Sequence, residues 1–206
     1  MKTYEELANS VIYKIYGSTV RLLDKANELE LVGKGRSAYA FKIKSTNLVI
    51  KVYFPTHREI GKEETTVYTM LKENPFFPTL HAYGENYIVI DYISGQTFFN
   101  CLIKGIPIKY KHILEVDMAL KLVRGVGLNP SDVHLRNIIL TKDGHVKLID
   151  VARFRQRGEC SQWEDLKKAY KLYRRRFIPK QIPTFLLNSV AFIYKKRWFK
   201  AWIKYI

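Results

Sequence analysis

One stretch, Pro130 to Ala152, constrains the fold of this chain more than any other part of its sequence. Asp132 and Asn137 stand five positions apart there, and two short apolar runs joined by an Asp-Gly turn follow, the last ending at Asp150. Two apolar runs around such a turn are typical of a β-hairpin. A hairpin would bring Asp132, Asn137 and Asp150 together at one end. Two carboxylates and an amide are oxygen ligands of the kind that Mg²⁺ prefers.

The hairpin is predicted over Ile138–Leu140 and Val146–Ile149, with the turn between them. The same residues also fit a simple surface turn, in which Asp132 and Asn137 would do no more than cap neighbouring backbone groups. The residues upstream of the hairpin decide between a metal site and a surface turn.

The chain begins with a helical pattern over residues 3–16. Thr3 and Glu6 have the spacing of a capping box, and an apolar stripe follows at helical intervals. The stripe consists of Leu7, Val11, Ile12 and Ile15. We predict a helix that packs against the rest of the protein and carries no chemistry.

Residues 29–54 change to a strand pattern, and we predict three antiparallel strands there. After the first of them, Gly33, Lys34 and Gly35 lead to Ala38 in the pattern Gly-x-Gly-x-x-Ala. Glycines in such a turn allow backbone N–H groups to lie over phosphates with no side chain in the way. A plain hairpin turn is the alternative for this pattern.

Lys51 lies inside an otherwise apolar strand, where a charge must find an anion or face solvent. A helix is predicted next, from Arg58 to Glu73, and Glu64 lies in line with its apolar stripe. The stripe continues through Val67, Tyr68 and Leu71. A glutamate on this face points inward, where it could pair with Lys51, and the neighbouring Glu63 is the alternative partner.

Beyond this helix the sequence predicts one more strand and then mainly helices. The strand covers Asn86–Asp91. Helices are predicted over residues 97–104, 108–125, 162–177 and 184–206.

Taken in chain order, these features resemble the elements of the protein-kinase-like superfamily: glycine-rich turn, strand lysine, helical glutamate, Asp-Tyr-Ile hinge, Asp-x4-Asn loop and final aspartate. The resemblance covers residues 33–152. It implies an α+β, two-lobed protein-kinase-like fold with a reduced C-lobe, in which residues 1–93 form the N-lobe and residues 94–206 the C-lobe. It also implies an ATP-dependent phosphotransferase that moves the γ-phosphate to a hydroxyl group.

The resemblance implies a role for each residue of the site. Lys51 would neutralise phosphate, and Glu64 would orient Lys51. Asn137 and Asp150 would hold Mg²⁺. Asp132 would orient the acceptor hydroxyl and take its proton late, because the transition state is loose.

Further site residues follow from the same resemblance. The residues that would bind ATP are Gly33, Lys34, Gly35, Ala38, Lys51, Asp91, Tyr92 and Ile93. His134 occupies the place where protein kinases usually carry a lysine that touches the γ-phosphate, and small-molecule kinases often have histidine there. The alternative for His134 is a capping or packing role without chemistry.

The chain also departs from the usual kinase pattern. Pro130 and Ser131 stand where His-Arg usually precedes the catalytic aspartate, which leaves no obvious socket for an activation-loop phosphate. Val151 and Ala152 follow Asp150 in place of Phe-Gly, and no Ala-Pro-Glu element follows. The short C-lobe resembles minimal kinases of the RIO type and bacterial lipopolysaccharide-core sugar kinases.

These features favour a small bacterial serine/threonine protein kinase. A sugar or other small-molecule kinase is the alternative, because the usual platform for a peptide substrate is missing. A nucleotide-binding pseudokinase is a second alternative. It is less favoured because every catalytic position is filled, and a decayed enzyme would usually have lost one.

The net charge of +16 indicates anionic partners. In the last predicted helix, Lys196, Arg197, Lys200 and Lys204 lie on one side and a Trp-rich face on the other, which is typical of a helix in a membrane interface. Packing of the aromatic face on the short C-lobe is the favoured interpretation. Peripheral contact with an anionic membrane is secondary, and no base-reading motif favours nucleic acid.

The expected location is the cytoplasm, with peripheral membrane contact as an option. The two cysteines form no disulfide framework, and the N-terminus lacks a signal-peptide core. No apolar run is long enough for a membrane-spanning helix.

Overall fold

Strands dominate the first half of the chain and helices the second. The computed structural model describes residues 2–17, 19–72, 74–158 and 160–192. The strands are β1 (Ile12–Tyr16), β2 (Thr19–Asp24), β3 (Leu29–Lys34), β4 (Ala38–Ile43), β5 (Leu48–Tyr53), β6 (Leu80–Tyr83), β7 (Tyr87–Asp91), β8 (Gly95–Thr97), β9 (Ile138–Thr141) and β10 (Val146–Leu148). The helices are α1 (Tyr4–Asn9), α2 (Arg58–Met70), α3 (Phe98–Lys104), α4 (Tyr110–Gly125) and α5 (Gln162–Tyr173). A 3-10 turn at Pro55–His57 leads into α2, and residues 184–192 are also helical.

The sheet of the N-lobe is antiparallel, with its strands in the order β3-β4-β5-β7-β6. The three strands predicted over residues 29–54 are confirmed as β3, β4 and β5, and the strand predicted before the hinge is β7. β6 was not predicted. β5 lies in the middle, so Lys51 is flanked by Ala40 on one side and Ile88 on the other. Because both edges of β5 are paired, the lysine side chain must leave through a face of the sheet.

The N-terminal helix is shorter than its pattern predicts. The capping box of Thr3 and Glu6 is present, but α1 ends at Asn9, and β1 and β2 then form a hairpin. The prediction of a helix over residues 3–16 was therefore wrong beyond α1. The chain turns at Gly17, where φ is 56°, and the β-branched and aromatic side chains of β1 favour a strand.

The hairpin predicted in the second half of the chain is confirmed as β9 and β10. Val146 pairs with Leu140 and Leu148 with Ile138, and Gly144 takes a φ of 77° in the turn. β8, which was not predicted, adds a third strand beside β9. The hairpin is therefore part of a small sheet of the C-lobe.

The helices predicted for the C-lobe are present, and α5 is shorter than predicted. α3 and α4 correspond to the predictions over residues 97–104 and 108–125, whereas α5 ends at Tyr173. The last predicted helix is present over residues 184–192, and its remainder, including the Trp-rich face, lies outside the described residues. No described helix combines the length and the apolar character needed to cross a membrane.

The larger of the apolar clusters joins the two lobes. It begins on the α2 side of the N-lobe sheet and continues through α3 and α4 to the β9–β10 hairpin and α5. Val116, Ala119 and Val123 of α4 are completely buried in it. Trp163 of α5 donates from Nε1 to Asp117 Oδ1 of α4 at 2.7 Å. α2 is therefore packed into a core that both lobes share, which restricts how it can move.

Gly95 begins β8 at the junction of the lobes. A Cβ added there would overlap the carbonyl oxygen of Leu140 and come within 2.7 Å of Ile139 Cγ2. We expect Gly95→Ala to lower the free energy of unfolding by about 1–3 kcal/mol, because β8 must shift away from β9. Denaturant titration measures this change.

The matched control is Gly125→Ala at the end of α4, where an added Cβ meets no atom within 4 Å. Alanine has the higher helix propensity, so this variant should be neutral or stabilised by up to about 1 kcal/mol. Equal destabilisation of both variants would contradict the packing explanation at Gly95.

Candidate active site

A buried ion pair lies between β5 and α2. Lys51 Nζ is 2.9 Å from Oε1 and 2.6 Å from Oε2 of Glu64. The Glu64 side chain is only 1% exposed and that of Lys51 17%. Lys51 Nζ also lies 3.3 Å from Asp150 Oδ1, on the C-lobe. Of the two glutamates that the sequence left open, Glu64 is therefore the partner of Lys51.

Burial and charge act against each other in this pair. Burial lowers the pKa of Lys51, but the carboxylates of Glu64 and Asp150 raise it, and its pKa lies above the ordinary value. Burial raises the pKa of Glu64 above its ordinary value, and the charge of Lys51 opposes that rise. Lys51 is therefore a protonated, fixed cation that faces the C-lobe.

Tyr53 completes this cluster, and sequence reasoning missed it. Its hydroxyl donates to Glu64 Oε2 at 2.5 Å. Its ring packs so closely on α2 that a Cβ added to Gly61 would lie 2.8 Å from it. Tyr53 follows Lys51 by two positions on β5, so both side chains leave the same face of the sheet. That spacing is the signal that could have identified it.

For the ATP-dependent transfer that the sequence predicts, we expect Tyr53→Phe to lower kcat/KM about 10-fold, because Glu64 loses a donor that holds it against Lys51. A hydrogen bond to the charged form lowers the pKa of a carboxyl group, so its loss should raise the pKa of Glu64 further. The carboxylate then forms only at higher pH. The acid limb of the pH profile of kcat/KM should accordingly move to higher pH in steady-state kinetics.

Tyr39→Phe is the matched control, since the Tyr39 hydroxyl donates to the Val20 carbonyl at 2.9 Å, in a different part of the N-lobe. It also removes the hydroxyl of a buried tyrosine, but it should leave the pH profile unchanged. A profile that moves equally in Tyr53→Phe and Tyr39→Phe, or in neither, would contradict a positioning role for Tyr53.

The loop before β9 holds Asp132 in a left-handed backbone conformation, with φ 61°. This conformation is uncommon for residues other than glycine and persists only where the surroundings enforce it. Asn137 Nδ2 donates to the Asp132 carbonyl at 3.2 Å, and the Asn137 N–H donates to the His134 carbonyl at 2.8 Å. The Asp132 carboxylate lies 3.9 Å from His134 Nε2 and 3.6 Å from Arg153 Nε. The loop thus presents a carboxylate between two basic side chains.

Asp150 follows the β9–β10 hairpin in the same left-handed conformation, with φ 63°. The N–H of Ile149 donates to the Asn137 carbonyl at 2.9 Å, which fixes Asp150 beside the loop of Asp132. Asp132, Asn137 and Asp150 therefore meet at one end of the hairpin. Lys51 reaches the same place from the N-lobe.

The side chains of Asn137 and Asp150 offer oxygen atoms of the kind that binds a divalent cation such as Mg²⁺. Asn137 uses its amide nitrogen on the backbone of Asp132, which directs its side-chain oxygen elsewhere. The Asp150 side chain is 49% exposed, so its carboxylate is accessible from solvent. One carboxylate and one amide oxygen leave most of an octahedral shell for water and phosphate oxygens, the usual arrangement of Mg²⁺ beside nucleotides.

The glycine-rich turn joins β3 to β4. The Gly35 N–H donates to the Ala38 carbonyl at 2.9 Å, so this group serves the turn itself. Lys34 Nζ lies 5.9 Å from the centre of the Tyr39 ring, a cation–π distance. Gly33 and Lys34 end β3 and Ala38 begins β4, so residues 35–37 form the turn between the two strands.

The hinge offers backbone groups rather than a side chain. The Asp91 carboxylate is bound to His81 Nε2 at 2.7 Å. Burial opposes its ionisation, but this and neighbouring hydrogen bonds bring the pKa of Asp91 below its ordinary value. The Tyr92 N–H donates to the Asn47 carbonyl at 2.8 Å. The Asp91 N–H donates to the Thr79 carbonyl at 3.2 Å, so the N–H groups of both Asp91 and Tyr92 are bound within the protein.

Two arginines hold the segment that follows Asp150. Arg155 Nη1 is 3.0 Å from each carboxylate oxygen of Glu63 on α2, and Arg153 approaches Asp132. The Arg155–Glu63 pair is half-exposed and adds little to stability, but it fixes the segment against α2. No contact of this segment was predicted from the sequence. Glu63, the alternative partner for Lys51, therefore binds this segment instead.

Several known proteins are similar to this chain. It is 46% identical over 199 residues to YrzF of Bacillus subtilis (strain 168), which has a provisional name as a serine/threonine-protein kinase. That match covers 95% of this chain and 93% of YrzF. It is 29% identical over 157 residues to a protein kinase C-like protein of Neurospora crassa, covering 65% of this chain and 14% of that protein. The solved structure of the Cydia pomonella granulovirus kinase PK-1 matches at 21% identity with a TM-score of 0.48, covering 61% of this chain and 51% of that one. No protein-family model matches the chain.

Proposed function

This chain belongs to the protein-kinase-like superfamily and is a phosphotransferase, and we propose that it transfers the γ-phosphate of ATP to serine or threonine hydroxyls of proteins. The observation that carries the proposal is the buried Lys51–Glu64 pair, whose ammonium group reaches Asp150. A buried ion pair alone adds little to stability. A fixed cation beside the loop of Asp132 is, however, well suited to bind phosphate.

Each residue of the buried pair and of the Asp132 loop has its own role in the transfer. Glu64 holds Lys51 so that its ammonium group neutralises charge on the phosphate oxygens. Asp132 orients the acceptor hydroxyl and accepts its proton late, so its main contribution is positioning. We assign His134, 3.9 Å from Asp132, a contact to the transferred phosphate.

Asn137 and Asp150 are the residues that would hold Mg²⁺. The hydrogen bond from the Ile149 N–H to the Asn137 carbonyl keeps the two residues adjacent before any cation arrives. The bound ion would offset negative charge on the β- and γ-phosphate oxygens.

We assign the rest of the nucleotide to the hinge and the glycine-rich turn. The Asp91 carbonyl and the Ile93 N–H are the candidates for the adenine edge, because the Tyr92 N–H is bound elsewhere. Gly33, Lys34, Gly35 and Ala38 would cover the phosphates. The Gly35 N–H would have to leave the Ala38 carbonyl in order to donate to a phosphate oxygen.

The protein acceptor is supported by the name of the relative that is 46% identical. A small-molecule hydroxyl is the second candidate, favoured by the histidine beside Asp132 and by the few helices of the described C-lobe. We further propose that the enzyme works in the cytoplasm and that the lobes, residues 1–93 and 94–206, meet after Ile93.

Incubation with γ-labelled ATP and Mg²⁺ tests the proposal, with candidate proteins and sugars as acceptors. We expect label in phosphoserine or phosphothreonine, lost when the cation is chelated. Label in a sugar instead would establish the second candidate. Binding of ATP without transfer to any acceptor, including the enzyme itself, would identify a nucleotide-binding module and overturn the proposal.

A further inference from the structure

Acidic residues are missing from the last part of the sequence. All 19 aspartates and glutamates lie within residues 1–165, whereas residues 166–206 contain 12 of the 35 lysines and arginines. A stretch of this length without a single acid, in a chain of net charge +16, produces a strongly positive region.

Residues 171–190, which lie within the described part of this region, are here called the basic–aromatic segment. Its cations are Lys171, Arg174, Arg175, Arg176 and Lys180. Among the described residues, none of these cations lies within ion-pair distance of a carboxylate, unlike Lys167 and Lys168 just before them. Lys180 Nζ donates to the Tyr173 carbonyl at 2.6 Å, and Arg174 lies over the Tyr110 ring. The charges most open to an external anion are therefore those of the exposed Lys171, Arg175 and Arg176.

The same segment exposes large apolar side chains. Phe177 is 74% exposed and Phe185 73%, and Leu172, Leu186 and Val190 are also exposed. Isolated exposed apolar residues are ordinary, but several within one short segment indicate a contact surface. Arg175 lies over the ring of Phe177, with its guanidinium carbon 6.0 Å from the ring centre, so charge and apolar surface are adjacent.

The segment is fastened to the C-lobe through other groups. The Ile182 N–H donates to the Leu102 carbonyl of α3 at 2.8 Å, and Asn188 Oδ1 accepts from Arg136 Nη2 at 3.0 Å. Ile182 and Leu187 pack against the shared core. Because these residues hold the backbone in place, the exposed phenylalanines are not required to complete the core.

We propose that the basic–aromatic segment binds the surface of an anionic lipid bilayer. Lysines and arginines beside exposed Phe and Leu side chains are the composition of segments that lie in a membrane interface. Phe177 and Phe185 would enter the headgroup region, and the cations would contact lipid phosphates and carboxylates. This inference stands on residues outside the candidate active site and does not depend on the proposed function.

The aliphatic side chains favour lipid over single-stranded nucleic acid. Nucleic-acid grooves also combine cations with aromatic rings, but those rings stack on bases. Leu172, Leu186 and Val190 offer a base no stacking surface, whereas a bilayer accommodates aliphatic and aromatic side chains alike. An acidic protein would satisfy the same charges, and it is therefore one of the outcomes that the test separates.

Vesicle co-sedimentation of the full chain tests the proposal. We expect binding to vesicles that contain phosphatidylglycerol, little binding to phosphatidylcholine alone, and weaker binding as salt increases. The double variant Phe177→Ser/Phe185→Ser should bind at least 10-fold more weakly, because two apolar anchors are lost. Arg175→Gln/Arg176→Gln should lose affinity by roughly 5-fold for each charge removed.

Matched controls carry the same changes at similarly exposed positions elsewhere. Leu23 and Tyr83 are 55% and 65% exposed, and their serine variants should bind like the native protein. Lys44→Gln/Lys142→Gln is the corresponding control for charge. Thermal melts and the kinase assay on each variant separate loss of fold or of catalysis from loss of binding.

Three results would overturn the proposal. The first is equal binding to both kinds of vesicle, and the second is equal loss of binding in the Leu23/Tyr83 control. The third is tight binding to single-stranded RNA or to an acidic polypeptide with no vesicle binding, which would assign the segment to that partner instead.

Discussion

Replacing Lys51 by alanine is expected to reduce ATP-dependent phosphate transfer by about 10²–10³-fold, the usual consequence of removing one preorganised electrostatic contact to the transition state. Lys51 is held by both oxygens of Glu64 and reaches Asp150, so its ammonium group is fixed before substrate arrives. No neighbouring lysine on β5 can replace it, because that strand has no other basic residue. Initial rates with γ-labelled ATP measure the loss. A Lys51→Ala enzyme with the native rate would refute the phosphate-binding role.

The same substitution has a second expected effect, on stability. Without Lys51, the buried Glu64 carboxylate retains only Tyr53 of its two hydrogen-bonding partners. Its pKa in the folded state should then rise further above the unfolded value. The folded state would hold a proton that the unfolded state has lost, so the variant should become less stable as pH rises above the ordinary glutamate range. Lys44→Ala, at an exposed site, is the control, and thermal melts across pH compare the two.

The second large effect is expected at the two left-handed aspartates. Asp150→Asn should abolish Mg²⁺-dependent ATP binding, because the cation loses its carboxylate. Asp132→Asn should spare that binding and reduce transfer by about 10²–10⁴-fold, the range for loss of a catalytic base. Asparagine is the replacement of choice at both positions because it tolerates a φ near +60°.

Calorimetry of ATP binding with and without Mg²⁺ distinguishes the two aspartates. Each variant serves as the control for the other, since both substitutions remove one carboxylate from a similar backbone conformation at the same end of the hairpin. Equal loss of binding in Asp132→Asn and Asp150→Asn would contradict the division into a metal ligand and a residue that orients the acceptor.

The parts of the fold that could be predicted depend on neighbours in sequence. β3, β4 and β5 follow from short strand-like runs separated by turns, and the β9–β10 hairpin follows from its Asp-Gly turn. The prediction extended the N-terminal helix too far, because it treated four apolar residues as one helical stripe. Leu7 and Val11 are buried in the core, as such a stripe requires, but Ile12 and Ile15 are exposed on a strand. Apolar spacing alone could not reveal that change of structure.

In the candidate site, too, only features that depend on neighbours in sequence could be predicted. Lys51 and Glu64 were found because each is a charge within an apolar pattern. Arg155 and Glu63 are 92 positions apart, and nothing near either residue in sequence indicates that they meet. In sequence Tyr53 is an ordinary strand residue, and only the structure shows that its hydroxyl donates a hydrogen bond to Glu64. Contacts between segments that are distant in sequence could therefore be identified only from the structure.

The segment after Asp150 also determines whether phosphorylation there could alter the activity of the enzyme after a signal has ended. Residues 151–160 contain no serine, threonine or tyrosine, so no hydroxyl there can carry a phosphate that records an earlier signal. Arg153 and Arg155 already bind carboxylates of the same chain, at Asp132 and Glu63, in the place where such a phosphate would otherwise recruit arginines. The rate of transfer should therefore follow the present amounts of ATP, acceptor and enzyme, and should carry no trace of past stimulation through this segment.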